Sequence, residues 1–297
     1  MTKTMTSQTA ETQSSTYIIE PTTIHSHTII LLHGLSSNGE KFGKELLETG
    51  TTSTNRTLAQ LLPDTRFIFP TAKRRRSSAF NRAILTQWFD VARLTDPEYR
   101  KHTQLQGLAE SAEELLELIR RETSKVSPQN VIIGGISQGC AMSLSMLLAL
   151  DYPLGGFIGM SGYLPFRTDI GEAIRDDDLE TDEDNPFATE DETKSLEKES
   201  AVKALIFERD VLCLPSISNP KKEKTAQSTP IFLGHGDMDE KKPPEAGKAA
   251  AQTMQAAGYD VVWKLYENLG HWYKIPDEID DIVEFIQTMV GWAIEQE

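Results

Sequence analysis

Residues 131–150 constrain the fold more than any other stretch of the chain. Val131-Ile132-Ile133-Gly134 is a continuous apolar run, Gly135-Ile136-Ser137-Gln138-Gly139 interrupts it, and a second apolar run extends from Ala141 to Leu150. The order reads as buried strand, sharp turn, helix. A serine at the apex of such a turn sits in a strained backbone, so its neighbours must lack bulk. Its hydroxyl then stands clear of the sheet. The helix that begins at once aims unpaired N–H groups at any negative oxygen that forms beside it. Gly-x-Ser-x-Gly alone is a weak signal; set between a strand and a helix it is a strong one.

The rest of the chain fits the same plan. Apolar strand-like runs at Thr28–His33, Arg66–Pro70, Phe157–Met160, Ile231–Gly234 and Val261–Tyr266 alternate with helical patterns. Leu108, Ala112, Leu115, Leu116 and Ile119 recur at helical spacing. A second helix is expected from Pro244 to Ala257, stopped by Gly258, and a last one carries Ile279, Ile282, Val283, Ile286 and Val290. Alternating strands and helices predict an α/β fold with a mostly parallel central sheet covered by helices on both faces.

Residues 16–297 are expected to form a single domain, preceded by a disordered Thr/Ser/Gln-rich tail over residues 1–15. An acidic insert is expected at about residues 167–229. The net charge of −15 is concentrated there: Asp176–Glu199 holds twelve acids against two lysines, which is −10 of the total. That stretch is too poor in apolar residues to repay its ordering and is expected to be mobile. Ala201–Leu214 is apolar enough to form a helix, and two roles suit it: a lid over the site, or a surface addition. No basic footprint for nucleic acid exists. Lys73-Arg74-Arg75-Arg76 reads as a solvated loop, with a nuclear signal as the alternative. No apolar run reaches the length of about eighteen residues that a membrane span needs. Two cysteines, Cys140 and Cys213, and no apolar leader point to the cytoplasm, with the nucleus possible.

A serine nucleophile needs a base, and the base needs an orienting acid. On sheets of this kind the chain order is serine, acid, histidine. After Ser137 only His235 and His271 remain. His235 comes too early to leave room for the acid, so His271 is the base. The acid then lies just past the Ile231–Gly234 strand, at Asp237 or Asp239.

These segments resemble the acyl-protein thioesterase and phospholipase/carboxylesterase family of small α/β-hydrolases. His33-Gly34-Leu35 is similar to its oxyanion loop, Trp88-Phe89-Asp90 to its W-[FY]-D marker, and Gly135–Gly139 to its elbow. Ser161-Gly162-Tyr163-Leu164-Pro165, His235-Gly236-Asp237-Met238-Asp239 and Gly270-His271 complete the series, from about Thr28 to about Trp292 outside the insert. The resemblance implies Ser137 as nucleophile, Asp239 as acid and His271 as base. It also implies an oxyanion hole of the Leu35 and Gln138 backbone N–H groups, and a substrate-binding region at Trp88 and Phe89. No metal or organic cofactor is implied. Cys140 stands where a second glycine is usual, Glu240-Lys241-Lys242-Pro243 is more polar than the family's continuation, and the insert is long.

The expected activity is hydrolysis of carboxylic esters or thioesters, of the acyl-protein thioesterase or lysophospholipase kind. S-acylated proteins or lysophospholipids are the implied substrates, and a small-molecule carboxylesterase is the alternative. A non-catalytic binding module of the same fold is disfavoured because no triad position is missing. Cys140, His33 and His235 are expected to be structural.

Overall fold

The computed structural model describes residues 16–175, 190–216 and 224–295, and the backbone alone over 190–198. In chain order its main elements are β1 (Tyr17–Ile19), β2 (His27–Leu32), α1 (Gly39–Thr49), α2 (Leu58–Leu61), β3 (Thr65–Phe69), β4 (Arg74–Arg76), β5 (Ile84–Thr86), α3 (Leu105–Thr123), β6 (Val131–Ile136), α4 (Gln138–Leu148), β7 (Gly156–Met160), α5 (Arg167–Arg175), α6 (Glu190–Val211), β8 (Ile231–Gly236), α7 (Pro244–Ala256), β9 (Val261–Tyr266) and α8 (Asp277–Phe285).

Seven strands pair in the order β1-β3-β2-β6-β7-β8-β9, all parallel except β1. The continuous apolar runs follow from this architecture. Ile30, Leu32, Val131, Ile133, Ile231 and Leu233 face one core, with α3, α4, α6 and α7. The intervening Ile29, Leu31, Ile132 and Phe232 face the other, with α1 and α8. Successive side chains point to opposite faces, so a strand covered on both sides is apolar at every position.

Three elements depart from the sequence reading. Strand β1 was not expected; it is three residues long and pairs antiparallel with β3 some fifty positions on, Tyr17 opposite Phe69. Arg74–Arg76 is not a loop but half of a two-stranded ribbon with β5. Arg75 lies against α3 in an ion pair with Glu110, and Lys73 pairs with Glu114 one turn on. The third departure is the insert. Helix α6 starts at Glu190, inside the stretch expected to be mobile; residues 176–189, like the tail at 1–15, lie outside the described residues. Ala201, Ala204, Leu205 and Leu212 are buried, Ala204 and Leu212 in the core shared with α3 and α4. With that half anchored, continuing the helix toward its N-terminus adds a bond per residue without a new nucleus.

Candidate active site

The C-terminal ends of β2, β6, β7, β8 and β9 lie along one edge of the sheet, and the loops that leave them build the site. Ser137 follows β6 with φ 56° and ψ −119°, a conformation a side chain adopts only under strain. Both elbow glycines are required by close approach: a Cβ on Gly135 or on Gly139 would collide with the Leu32 carbonyl oxygen at the end of β2. A Cβ on Gly34 would touch the Ser137 side chain at 3.4 Å, so the loop after β2 runs directly beside the serine.

Ser137 Oγ lies 2.8 Å from His271 Nε2, and His271 Nδ1 lies 2.6 Å from Asp239 Oδ2. Asp239 is buried, and its other oxygen accepts from the amides of Lys241 at 3.0 Å and Lys242 at 2.9 Å. His235 Nε2 stands 3.2 Å from Oδ2 and donates to the Lys242 carbonyl at 2.8 Å. Burial would raise the Asp239 carboxyl, but bonds from His235, His271 and the Lys242 amide outweigh it. They hold the group well below the usual carboxylate range. The polar continuation after Asp239 thus folds back as a turn whose amides support the acid.

Asp237, the alternative acid, is exposed and accepts from the Leu269 amide at 3.3 Å. The Met238 amide donates to the Leu269 carbonyl at 3.0 Å. Asp237 therefore ties the His271 loop to the end of β8, while Asp239 meets the imidazole itself.

Gln138 and His33 fix the elbow's surroundings. Gln138 Oε1 accepts from the Trp88 amide at 3.0 Å and its Nε2 donates to the Phe89 carbonyl at 2.8 Å. Trp88 Nε1 donates to the His33 carbonyl at 2.9 Å. His33 is fully buried; its Nδ1 donates to the Gly34 carbonyl and its Nε2 accepts from the Ala72 amide. Burial lowers its pKa to about 4, against the opposing pull of the Gly34 bond, so it stays neutral and structural. Neither the Leu35 nor the Gln138 amide donates to a protein acceptor among the described residues. Both are available to a ligand oxygen.

A cleft of about 430 Å³ opens over this relay, lined by Leu35, Phe42, Phe80, Val91, Leu94 and Tyr163, with Trp272, Lys241 and Lys242 completing its wall. Trp88 and Phe89, assigned from sequence to substrate binding, are not part of that wall; they are buried behind it, bracing Gln138 and His33. Phe42, Phe80, Tyr163 and Trp272 are the aromatics among the residues that line it; Tyr163 lies within a segment the sequence singled out and Trp272 next to one, neither marked there as a lining side chain. Among the described residues, none of Ala201–Leu214 lines the cleft, which favours the surface addition over the lid. Cys140 is fully buried, and burial drives its thiol pKa far up, so it packs rather than reacts.

The fold and the site define an α/β-hydrolase. Maize acyl-protein thioesterase 2 superposes with a TM-score of 0.63 over 94% of this chain and 100% of its own, at 24% identity. A Bacillus cereus carboxylesterase superposes with a TM-score of 0.54 over 94% and 96%, at 12% identity. The chain belongs to the phospholipase/carboxylesterase family, whose sequence profile matches residues 13–207 and 210–290. It is a serine hydrolase of carboxylic esters or thioesters. Acyl-protein thioesterase 1 of Saccharomyces cerevisiae is 27% identical over 277 residues, 89% of this chain and 93% of its own. That of Gibberella zeae is 24% identical over 269 residues, 90% and 92%.

Proposed function

We propose that Ser137, His271 and Asp239 are the catalytic triad of an acyl ester or thioester hydrolase, and that the acyl group lies in the cleft beside them. His271 takes the Ser137 proton as Oγ attacks the acyl carbonyl. Asp239 holds the imidazole with Nδ1 protonated and stabilises the imidazolium. The Leu35 and Gln138 amides donate to the negative oxygen of the tetrahedral intermediate, where each donor is worth on the order of 100–1,000-fold in rate. The imidazolium gives its proton to the leaving alcohol or thiol. Water, activated by the same histidine, then releases the acid.

The observation that carries this reading is the unbroken hydrogen-bond chain from Ser137 Oγ through His271 to a buried, amide-supported carboxylate. The apolar wall suits an acyl chain, and the names of the relatives suggest S-acylated proteins, with lysophospholipids as a related class. A small-molecule carboxylesterase is the second reading, favoured by the two lysines that interrupt the apolar wall. We place the enzyme in the cytoplasm, with the nucleus as alternative: both cysteines are free, and no described helix is long and apolar enough to cross a membrane. We likewise take residues 16–297 as one domain.

The test is a series of 4-nitrophenyl esters from acetate to palmitate, with an S-palmitoyl peptide beside it. A maximum at long chains together with peptide deacylation supports the thioesterase. A maximum at short chains without deacylation supports the carboxylesterase. No turnover of any member overturns both.

A further inference from the structure

The cleft over Ser137 is lined by two lysines and, among the described residues, by no carboxylate, in a chain whose net charge is −15. Lys241 is exposed at the rim, whereas Lys242 is only 5% accessible to solvent. Its Nζ donates to the Leu94 carbonyl and lies 3.9 Å from the centre of the Tyr163 ring. Leu94 and Tyr163 both line the cleft, so the ammonium is set in its wall. An ammonium has three donors. The carbonyl takes one, the ring offers a face, and Lys242 makes no ion pair among the described residues.

A buried lysine without a counter-ion is rare, because removing its charge from water is costly and nothing opposite repays the loss. An apolar side chain of the same volume would complete this wall without that cost. Burial moves the Lys242 pKa down to about 8, and the charges of Asp239 and Asp96 keep it from falling further. The ammonium is therefore retained near neutrality in the cleft wall, without an ion pair among the described residues and within reach of a ligand anion.

We propose that Lys242, with Lys241 at the rim, forms an anion subsite, and that the preferred esters carry a carboxylate or phosphate group beside the scissile ester. The inference rests on ester hydrolysis at Ser137 and narrows its substrate class. A bound anion takes the donor that Leu94 leaves free. The apolar surroundings strengthen the pair relative to water. A neutral acyl chain in the same cleft leaves the lysine unpaired.

The test is a ratio of kcat/KM values, anionic ester over neutral partner, at pH 7. In the acyl arm, mono-4-nitrophenyl adipate is compared with 4-nitrophenyl hexanoate. In the leaving-group arms, 4-acetoxybenzoate and 4-acetoxyphenyl phosphate are each compared with 4-methylphenyl acetate, which separates carboxylate from phosphate. The wild-type ratio is expected to reach tenfold or more in at least one arm. Lys242→Met is expected to cut that ratio at least tenfold, whatever it does to absolute rates, and Lys242→Arg to keep most of it.

The wild-type ratio should also decline as pH rises past about 8, where Lys242 loses its charge. Other groups face this lysine. Asp239 is held far below this range, Tyr163 is pushed far above it by burial, and Asp96 is paired with Arg93. Lys241 is the rim cation of the same subsite, and His271 serves both substrates and cancels in the ratio. Turnover of neutral esters with no anionic preference in any arm overturns the subsite, as does a ratio that Lys242→Met leaves unchanged. No hydrolysis of any ester overturns the underlying reading instead. Should the Met variant not fold, the wild-type ratios and the Arg variant decide.

Discussion

Replacing Asp239 by asparagine removes one charge and keeps the shape, and the structure dictates how the amide must sit. With its oxygen in the Oδ1 position the asparagine keeps the bonds from the Lys241 and Lys242 amides, and its NH2 faces His271 Nδ1. The reverse orientation sets the buried Lys242 N–H and the part-buried Lys241 N–H against the NH2, at up to about 1–3 kcal/mol each. The imidazole meets the first orientation by moving one proton, so the first orientation wins. His271 then accepts at Nδ1 and carries its proton on Nε2, 2.8 Å from Ser137 Oγ, where a base is needed. The wrong tautomer costs about 10⁴-fold in a serine triad, or about 5.5 kcal/mol in activation free energy. The His235 N–H keeps the Lys242 carbonyl at 2.8 Å but loses its second acceptor, Oδ2 at 3.2 Å, so a slightly lower melting temperature accompanies the lost activity. Asp237→Asn should stay within about threefold of wild type, because an amide oxygen still accepts from Leu269 at an exposed site. The assay is kcat/KM on 4-nitrophenyl butyrate for both variants, with circular dichroism to establish folding. A folded Asp239→Asn enzyme that loses less than tenfold, or equal losses in the two variants, would refute the reasoning.

Further outcomes follow from the surrounding structure. Gln138→Leu should lower stability by about 2–4 kcal/mol in urea unfolding, because it strands the buried Trp88 amide and Phe89 carbonyl; an unchanged midpoint would remove Gln138 as the brace. Glu208 on α6 and Glu278 on α8 are both raised to about 8, chiefly by burial, above a usual value of 4.5. Groups raised in this way favour the folded state below the unfolded value and lose that contribution as pH climbs toward 8. Glu208→Gln/Glu278→Gln should therefore flatten the fall in stability between about pH 5 and 8, and an unaltered slope would contradict this assignment. Leu205→Ser, deep under α6, should cost about 2–4 kcal/mol, whereas Ile206→Ser on the exposed side should change neither stability nor acyl-chain preference. A shift in chain-length preference in the Ile206 variant would restore the lid.

What the sequence made legible, and what it hid, divides along physical lines. The elbow is local: one strand, two glycines and one helix suffice to force the strained Ser137. The order of the strands along the chain then leaves His271 as the expected base. Strand β1 is invisible because its three residues gain order only by pairing with β3, far along the chain. Arg74–Arg76 reads as solvated because the acids that fix Arg75 and Lys73 lie on α3, more than thirty positions away. Trp88-Phe89 was recognisable as a motif, yet its position behind the cleft depends on where Gln138 and His33 reach. Lys242 appeared in the sequence only as an oddly polar residue after the acid. Its burial depends on Tyr163 and Leu94, which no spacing rule connects to it.

The central claim is that Ser137 is the nucleophile, and intact-mass analysis after treatment with a fluorophosphonate tests it most directly. The account predicts one adduct per chain, localised to Ser137 by peptide mapping. Labelling should be absent in Ser137→Ala and slowed by about 10³-fold or more in His271→Ala, with ester hydrolysis falling in parallel. An adduct that forms at the wild-type rate in folded Ser137→Ala, or a Ser137→Ala enzyme that keeps a tenth of the wild-type esterase activity, would contradict it.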